Sequence, residues 1–189
     1  QKRCFIMPKL LFILFLLSFY KPAYSSIKDK IISQMKLTNN LSFNFIQTID
    51  DKNENGNCVI KYPKKIYCKY NNNKKIIVSN GKSLVIKNKD KGTYYIYPLE
   101  KTPLKFLLDK NYLISKIKLL KPRKINDDYI NFRITEKSNE INVFFDQKTL
   151  NIIGWQTEDL YQNLTITYIS SVKINEQINN DIFKLPKQN

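Results

Sequence analysis

Residues 57–70 have the sequence NCVIKYPKKIYCKY, and this stretch indicates the fold of the chain. Apolar, β-branched and aromatic residues lie on both sides of Pro63, a pattern typical of two short strands joined by a tight turn. We therefore predict an antiparallel hairpin that turns at Pro63 and packs its apolar face against a large apolar partner.

The same hairpin holds two of the three cysteines of the chain. A three-residue loop of 62–64 places Lys61 opposite Lys65, and counting outward places Cys58 opposite Cys68. Directly opposed residues in a non-hydrogen-bonded pair have Cα atoms about 4.5 Å apart, near the range that a disulfide accepts. We predict a disulfide between Cys58 and Cys68, with two small buried thiols as the alternative.

Strand-like segments continue on both sides of the hairpin. In the first strand Leu41, Phe43 and Phe45 alternate with polar residues. A polar turn is predicted over 50–57, and Asn80-Gly81 is a strong hairpin signal. Further strands are predicted at about 74–79, 82–88, 93–98, 113–120, 128–135, 140–146, 149–157 and 163–173. This order predicts an antiparallel meander of about eleven strands, curled into a barrel or half-barrel.

Two short helices interrupt the strand pattern. Apolar residues recur at helical spacing over 26–37. Thr102 and Pro103 are typical of a helix start, and Leu104, Leu107 and Leu108 then share one face. Because no second sheet is predicted for these helices to pack on, we expect them to cover the concave face of the sheet.

The N-terminal region has the three parts of a secretory signal peptide. Lys9 supplies a positive charge, residues 10–19 are apolar apart from one serine, and Ala23-Tyr24-Ser25 offers small residues at the cleavage positions. An apolar run of about ten residues is short for a spanning helix, which needs roughly twenty. We predict a signal peptide over 1–25, with Met7 as the start, followed by one domain over 26–189. An uncleaved anchor is the alternative.

Composition argues against several classes of function. The chain has no histidine, which removes serine–histidine and cysteine–histidine nucleophilic pairs and most zinc sites. Lys and Arg number 32 against 16 Asp and Glu, but only three are Arg, so nucleic-acid binding is not expected. We predict a binding protein without catalytic residues, metal or cofactor, and with weak attraction to anionic lipid headgroups.

A set of short motifs resembles the outer-membrane lipoprotein carrier protein family, LolA. The motifs are Phe45-Ile46-Gln47, Gly56, Ile60-Lys61-Tyr62-Pro63, Ile77-Val78-Ser79-Asn80-Gly81-Lys82, Thr102-Pro103-Leu104 and Phe183. The resemblance covers nearly all of 26–189. It implies a mainly β fold with short helices, in which an incomplete antiparallel barrel of about eleven strands is covered by a helical lid.

The resemblance also implies a function. A monomeric periplasmic chaperone of this family binds triacylated lipoproteins and carries them from an inner-membrane lipoprotein-releasing ABC transporter to an outer-membrane lipoprotein receptor. On that basis we place the acyl cavity and its lid at Leu41, Phe43, Phe45, Ile60, Tyr62, Ile66, Leu104, Leu107 and Leu108. An ordinary barrel or sandwich core is the alternative for these residues.

One position departs from the family pattern. The family often has arginine before the hairpin proline, where it hydrogen-bonds the lid, and this chain has Tyr62 there. A phenol donates one hydrogen bond and carries no charge, so we expect a weaker latch, or Lys61 or another cation in its place. A related periplasmic lipid-binding receptor or sensor is the alternative function. A receptor of that kind usually carries a lipidated cysteine after its leader, and no cysteine follows Ser25 directly.

Overall fold

The computed structural model describes residues 25–49, 51–126, 128–136, 139–158 and 163–188. The predicted signal peptide lies outside these residues except for Ser25. Within the described ranges, eleven strands form one antiparallel sheet. The strands are β1 (Asn40–Ile49), β2 (Lys52–Lys61), β3 (Lys65–Tyr70), β4 (Lys75–Asn80), β5 (Ser83–Asn88), β6 (Thr93–Pro98), β7 (Arg123–Ile125), β8 (Tyr129–Glu136), β9 (Asn139–Asp146), β10 (Ile152–Glu158) and β11 (Leu164–Ile174).

The sheet consists of two meanders joined through the ends of the domain. Its strand order is β6-β5-β4-β3-β2-β1-β11-β10-β9-β8-β7, so the first strand pairs with the last. The two edges, β6 and β7, are consecutive in the chain but do not pair. The sheet is thus an open barrel, as predicted, and its gap falls in the middle of the sequence rather than between the termini.

In the part of the chain that the structure describes, three α-helices accompany the sheet: α1 (Ile27–Leu37), α2 (Leu104–Leu108) and α3 (Lys110–Leu119). The Ser26 hydroxyl caps α1 by accepting a hydrogen bond from the Asp29 amide at 3.2 Å. Residues 99–120, here called the helical insertion, contain a 3-10 turn, α2 and α3, and connect β6 to β7 across the gap. Each helix buries its apolar face in the core, the buried residues being Ile31, Ile32 and Met35 in α1, Phe106, Leu107 and Leu108 in α2, and Leu113, Ile114 and Ile117 in α3.

Two of the secondary-structure predictions are wrong. The strand predicted over 113–120 is the helix α3. Asp109 begins this helix by accepting a hydrogen bond from the Tyr112 amide at 3.0 Å, and buried Leu113, Ile114 and Ile117 have helical spacing. The polar turn predicted over 50–57 is much shorter, because β2 begins at Lys52 and pairs with β1 along its whole length.

The hairpin over 57–70 is confirmed. Its register pairs Lys61 with Lys65 and Cys58 with Cys68, as counted from the sequence. The Cys58–Cys68 disulfide is present, with 4.1 Å between the two Cα atoms. Both sulfur-bearing side chains are buried on the concave face of the sheet.

Gly56, in the middle of this face, lies where the sheet has no room for a side chain. It pairs with Phe45 on one side and with Tyr70 on the other, and the two aromatic rings meet edge to face above it, 5.0 Å apart. A Cβ at this position would lie 2.1 Å from the Lys69 carbonyl oxygen and 2.9 Å from the Phe45 ring. The absence of a side chain thus allows the ring pair to pack and the strands to approach.

Candidate functional site

Alternation along β1 produces an apolar concave surface. Leu41, Phe43 and Phe45 are 3–5% exposed and face inward. Asn44 and Ile46, at the intervening positions of the strand, are exposed. A strand turns successive side chains to opposite faces, so this register fixes three large apolar groups inside the open barrel. The inner face is therefore an apolar surface, and residues of the helical insertion pack in the same core.

A cleft of about 280 Å³ lies between this concave face and the start of α2. The apolar residues that line it include Phe45, Ile66, Ile77, Leu84, Leu104 and Trp155, together with the disulfide. Trp155 is the single tryptophan of the chain and is 8% exposed. Small-molecule sites in proteins typically measure about 300–1,000 Å³, so the cleft is small for a lipid site.

The predicted acyl-binding residues fall into two groups around the cleft. Phe45, Ile66 and Leu104 line it directly. Leu41 and Tyr62 instead line a second cavity of about 20 Å³ next to α1, which has room for about one water molecule. The sequence therefore places these five residues on the inner surface, but the structure divides them between two spaces.

The remaining four predicted residues are packed rather than exposed to a cavity. Phe43, Ile60, Leu107 and Leu108 are each at most 4% exposed and belong to one continuous apolar core. Leu107 and Leu108 come from the helical insertion, whereas Phe43 and Ile60 come from the sheet. The insertion thus fills part of the open barrel with its own side chains.

Some cleft residues were not predicted from the sequence. Ile77 lies in the continuous apolar run of β4, where alternation does not separate the two faces of the strand. Leu84 and Trp155 lie opposite the first hairpin only because of the sheet topology. The alternating pattern of β1 was the strongest available signal, and it does not extend to these strands.

The helical insertion is held to the first hairpin at Lys64. The Lys64 amide donates a hydrogen bond to the Leu108 carbonyl oxygen at 2.8 Å. Its ammonium group lies 2.8 Å from a Glu100 carboxylate oxygen and 3.8 Å from one of Asp109. Both acids belong to the helical insertion, so a residue of the hairpin turn bonds to it through main chain and side chain.

Lys110 forms a second attachment. Its ammonium group donates to the carbonyl oxygens of Thr38 at 2.7 Å and Lys36 at 3.1 Å, at the C-terminal end of α1. A cation is favoured there because the last carbonyls of a helix carry partial negative charge. The same ammonium group lies 5.7 Å from the centre of the Tyr62 ring, and burial lowers the Lys110 pKa.

These contacts correct the expectation about the latch. Tyr62 packs its largely buried ring against the core, and burial raises the pKa of its phenol. Lys61 donates to the Asn180 side chain at 2.6 Å, away from the insertion. Lys64 and Lys110 are two of the cations that hold the insertion, and Tyr62 contributes a ring face beneath Lys110.

The insertion has further polar attachments. Lys28 of α1 donates to the carbonyl oxygens of Lys118 at 2.9 Å and Leu120 at 3.3 Å. Lys116 of α3 pairs with Glu136 of β8.

Polar groups surround the open end of the cleft. Lys75 pairs with Glu54, and its ammonium group lies 3.8 Å from the centre of the Tyr70 ring. The Tyr70 hydroxyl donates to Gln47 at 3.1 Å, and burial, with a smaller effect of the Glu54 charge, raises the Tyr70 pKa. The cleft is thus apolar in its depth and polar at its mouth.

Other kinds of site receive no support from the described residues. They contain no group of three or more potential metal-ligating side chains. No helix among them is both long and apolar enough to cross a membrane. The cleft under the helical insertion is therefore the candidate site.

Comparisons with known proteins agree with this fold. An uncharacterised conserved protein of Thermus thermophilus is similar in structure, with a TM-score of 0.51, 6% identity, and coverage of 85% of this chain and 93% of that chain. A LolA superfamily protein of Nitrosomonas europaea has a TM-score of 0.47 and 8% identity, with coverage of 85% of this chain and 99% of that chain. A DUF1329 family protein of Desulfovibrio piger has a TM-score of 0.45 and 9% identity, with coverage of 84% of this chain and 95% of that chain. No curated protein matches the chain significantly.

The family comparison is more specific. The model of the family described as outer membrane lipoprotein carrier protein LolA matches residues 36–186. That range includes both meanders of the sheet, the disulfide hairpin, the helical insertion and Phe183, which is 2% exposed. Because the match spans most of the sequence, the chain belongs to the outer membrane lipoprotein carrier protein family, LolA.

Proposed function

We propose that this protein is a periplasmic chaperone that binds the acyl chains of lipoproteins. It receives triacylated lipoproteins from an inner-membrane lipoprotein-releasing ABC transporter and delivers them to an outer-membrane lipoprotein receptor. Membership in the family supports this role. The observation that carries it here is the apolar cleft whose depth is occupied by the helical insertion.

The energetics of acyl transport explain why such an insertion is useful. Each buried CH₂ group contributes about 0.8 kcal/mol, so three chains of about fifteen carbons represent on the order of 35 kcal/mol. Non-covalent affinities reach at most about 20 kcal/mol, and a carrier must also release its cargo. If cargo has to displace Leu107 and Leu108 from their contacts, part of the binding free energy is offset and release remains possible.

The size of the cleft supports a closed state. At about 280 Å³ the cleft is too small for three long acyl chains. The insertion must therefore move before cargo enters fully. Its polar attachments, at Lys64, Lys110, Lys28 and Lys116, lie near the surface, whereas strand pairing is continuous along the sheet beneath. We propose that the insertion is the lid and that the sheet stays rigid.

A binding role without catalysis fits the same observations. The chain has no histidine, and the cleft lining is mainly hydrocarbon. Groups at the mouth such as Gln47 and Tyr70 are already engaged with each other. We therefore propose that the cleft holds cargo and does not transform it.

Depletion of the protein in its own cells tests the proposal. If it is the carrier, triacylated lipoproteins should accumulate in the inner membrane after depletion, and re-expression should restore their transfer. Normal sorting to the outer membrane would contradict the carrier role. Transfer that stalls with lipoproteins in soluble complexes would instead indicate the alternative role, that of a receptor.

A further inference from the structure

The concave face changes from apolar to polar within a short distance along two neighbouring strands. On β1 the inward residues after Phe45 are Gln47 and then the apolar Ile49, and on β11 Ile169 is followed inward by Thr167 and then Thr165. Successive inward positions are about 7 Å apart, twice the rise per residue of a strand. A molecule lying along these strands therefore meets hydrocarbon first and hydrogen-bonding groups next.

Gln47, Thr167 and Thr165 are here called the polar band. Hydrogen bonds within the protein fix part of it. Gln47 donates through Nε2 to the Thr167 hydroxyl at 3.1 Å and accepts from the Tyr70 hydroxyl at 3.1 Å. These bonds tie β3, β1 and β11 together across the mouth of the cleft. Gln47 is thereby oriented, and the band has a defined position relative to the apolar floor.

Thr165 is different, because its hydroxyl has no partner among the described residues. Its side chain is buried, with 6% of the residue exposed, and it lines the cleft. Thr157 lies directly opposite on β10 and lines the cleft too. A buried hydroxyl without a partner is unfavourable, and a ligand that accepts a hydrogen bond there removes the cost.

We infer that Thr165 donates a hydrogen bond to the carbonyl of an ester or amide that links acyl chains to the rest of the ligand. This inference rests on the proposed function and specifies its ligand. The chains would lie on the apolar floor near Phe45, with the linkage at Thr165 and the remainder outside.

The test compares two lipids that differ only in having or lacking their two ester carbonyls. Binding of dioleoylglycerol and of its dioleyl ether counterpart to the full-length mature protein is measured by displacement of a fluorescent fatty acid. The protein should prefer the ester by about fivefold, the ratio that corresponds to one hydrogen bond of about 1 kcal/mol. Thr165→Val should abolish the preference, while Thr135→Val, on the exposed outer face of β8, should retain it.

The outcomes separate this inference from the function on which it rests. Equal binding of ester and ether by the unmodified protein overturns the role of Thr165 but leaves acyl binding standing, and this comparison needs no variant to fold. An ester preference that survives in Thr165→Val overturns it as well. Failure of both lipids to bind overturns the inference and the acyl-binding function together.

Discussion

The main-chain amide of Lys64 and the carbonyl oxygen of Leu108 are joined by a hydrogen bond of 2.8 Å. This bond connects the turn of the disulfide hairpin to the C-terminal end of α2, residues that lie far apart in sequence. Substituting the Lys64 side chain leaves this bond available, so the charged contacts of the lid can be altered separately from it.

Removing the Lys110 charge should loosen the lid. Lys110→Met eliminates two hydrogen bonds from an ammonium group to carbonyls of the α1 terminus. Because hydrogen bonds to charged groups contribute about 1.5–3 kcal/mol, we expect the free energy of lid opening to fall by about 1–2 kcal/mol. Hydrogen exchange of the α2 and α3 amides measures it. The control is Lys118→Met, an exposed position of the same helix. Equal exchange rates in Lys110→Met and Lys118→Met would show that Lys110 does not hold the lid.

A charge placed in the lid core should displace the lid without unfolding the sheet. Leu107 is 4% exposed, and Leu107→Glu would bury an unpaired carboxylate there. We expect a red shift of the Trp155 emission, reduced acyl binding, and unchanged far-ultraviolet circular dichroism from the strands. Ser115→Glu, on the exposed side of α3, should behave like the unmodified protein. Unchanged lipoprotein uptake by Leu107→Glu would refute the lid assignment.

The lid should also loosen in acid. The Lys64 ammonium lowers the pKa of the Glu100 carboxyl below its ordinary value of 4.5. A carboxyl with a lowered pKa in the folded state stabilises that state above its ordinary pKa, and the contribution is lost as the pH falls through the lowered value. Because Glu100 is 61% exposed, the effect should be small. Trp155 emission, titrated downward from pH 5, should show a transition that Glu100→Gln removes; an identical titration in both proteins would contradict this.

Breaking the disulfide should reduce global stability. A loop of this length is expected to contribute about 2–3 kcal/mol by restricting the unfolded chain. The double substitution of Cys58 and Cys68 by alanine should lower the free energy of unfolding in urea by that amount, and reductant should then have no further effect. Two alkylatable thiols in the unreduced, denatured protein from the periplasm would show that the bridge does not form there.

Local signals made much of the fold predictable. Asn80-Gly81 turns between β4 and β5, with Gly81 at a φ of +100° and the Asn80 side chain accepting from the Lys82 and Ser83 amides. Counting across the turn at Pro63 gave the correct disulfide register. These features depend on residues within a few positions of one another, where sequence pattern and geometry are directly related.

Long-range features were not predictable in the same way. The pairing of Phe45 with Ile169 joins the two meanders through the first and last strands, and no local pattern specifies it. A strand is predicted over 113–120, but these residues form α3, which packs against α1, α2 and β8 and buries Leu113, Ile114 and Ile117 at helical spacing. The attachments of Lys64 and Lys110 depend on which distant carbonyls and carboxylates the fold brings near, so the latch residues were found only in the structure.

Quenching of Trp155 by brominated acyl chains tests the central claim most directly. Trp155 is the single tryptophan and lines the cleft. A triacylated lipoprotein with brominated chains, mixed with the protein in detergent that is then removed, should form a soluble complex in which Trp155 fluorescence is strongly quenched. The same lipoprotein with unbrominated chains should form the complex without quenching. A soluble complex in which brominated chains leave Trp155 unquenched, or no complex at all, would contradict acyl binding in the cleft.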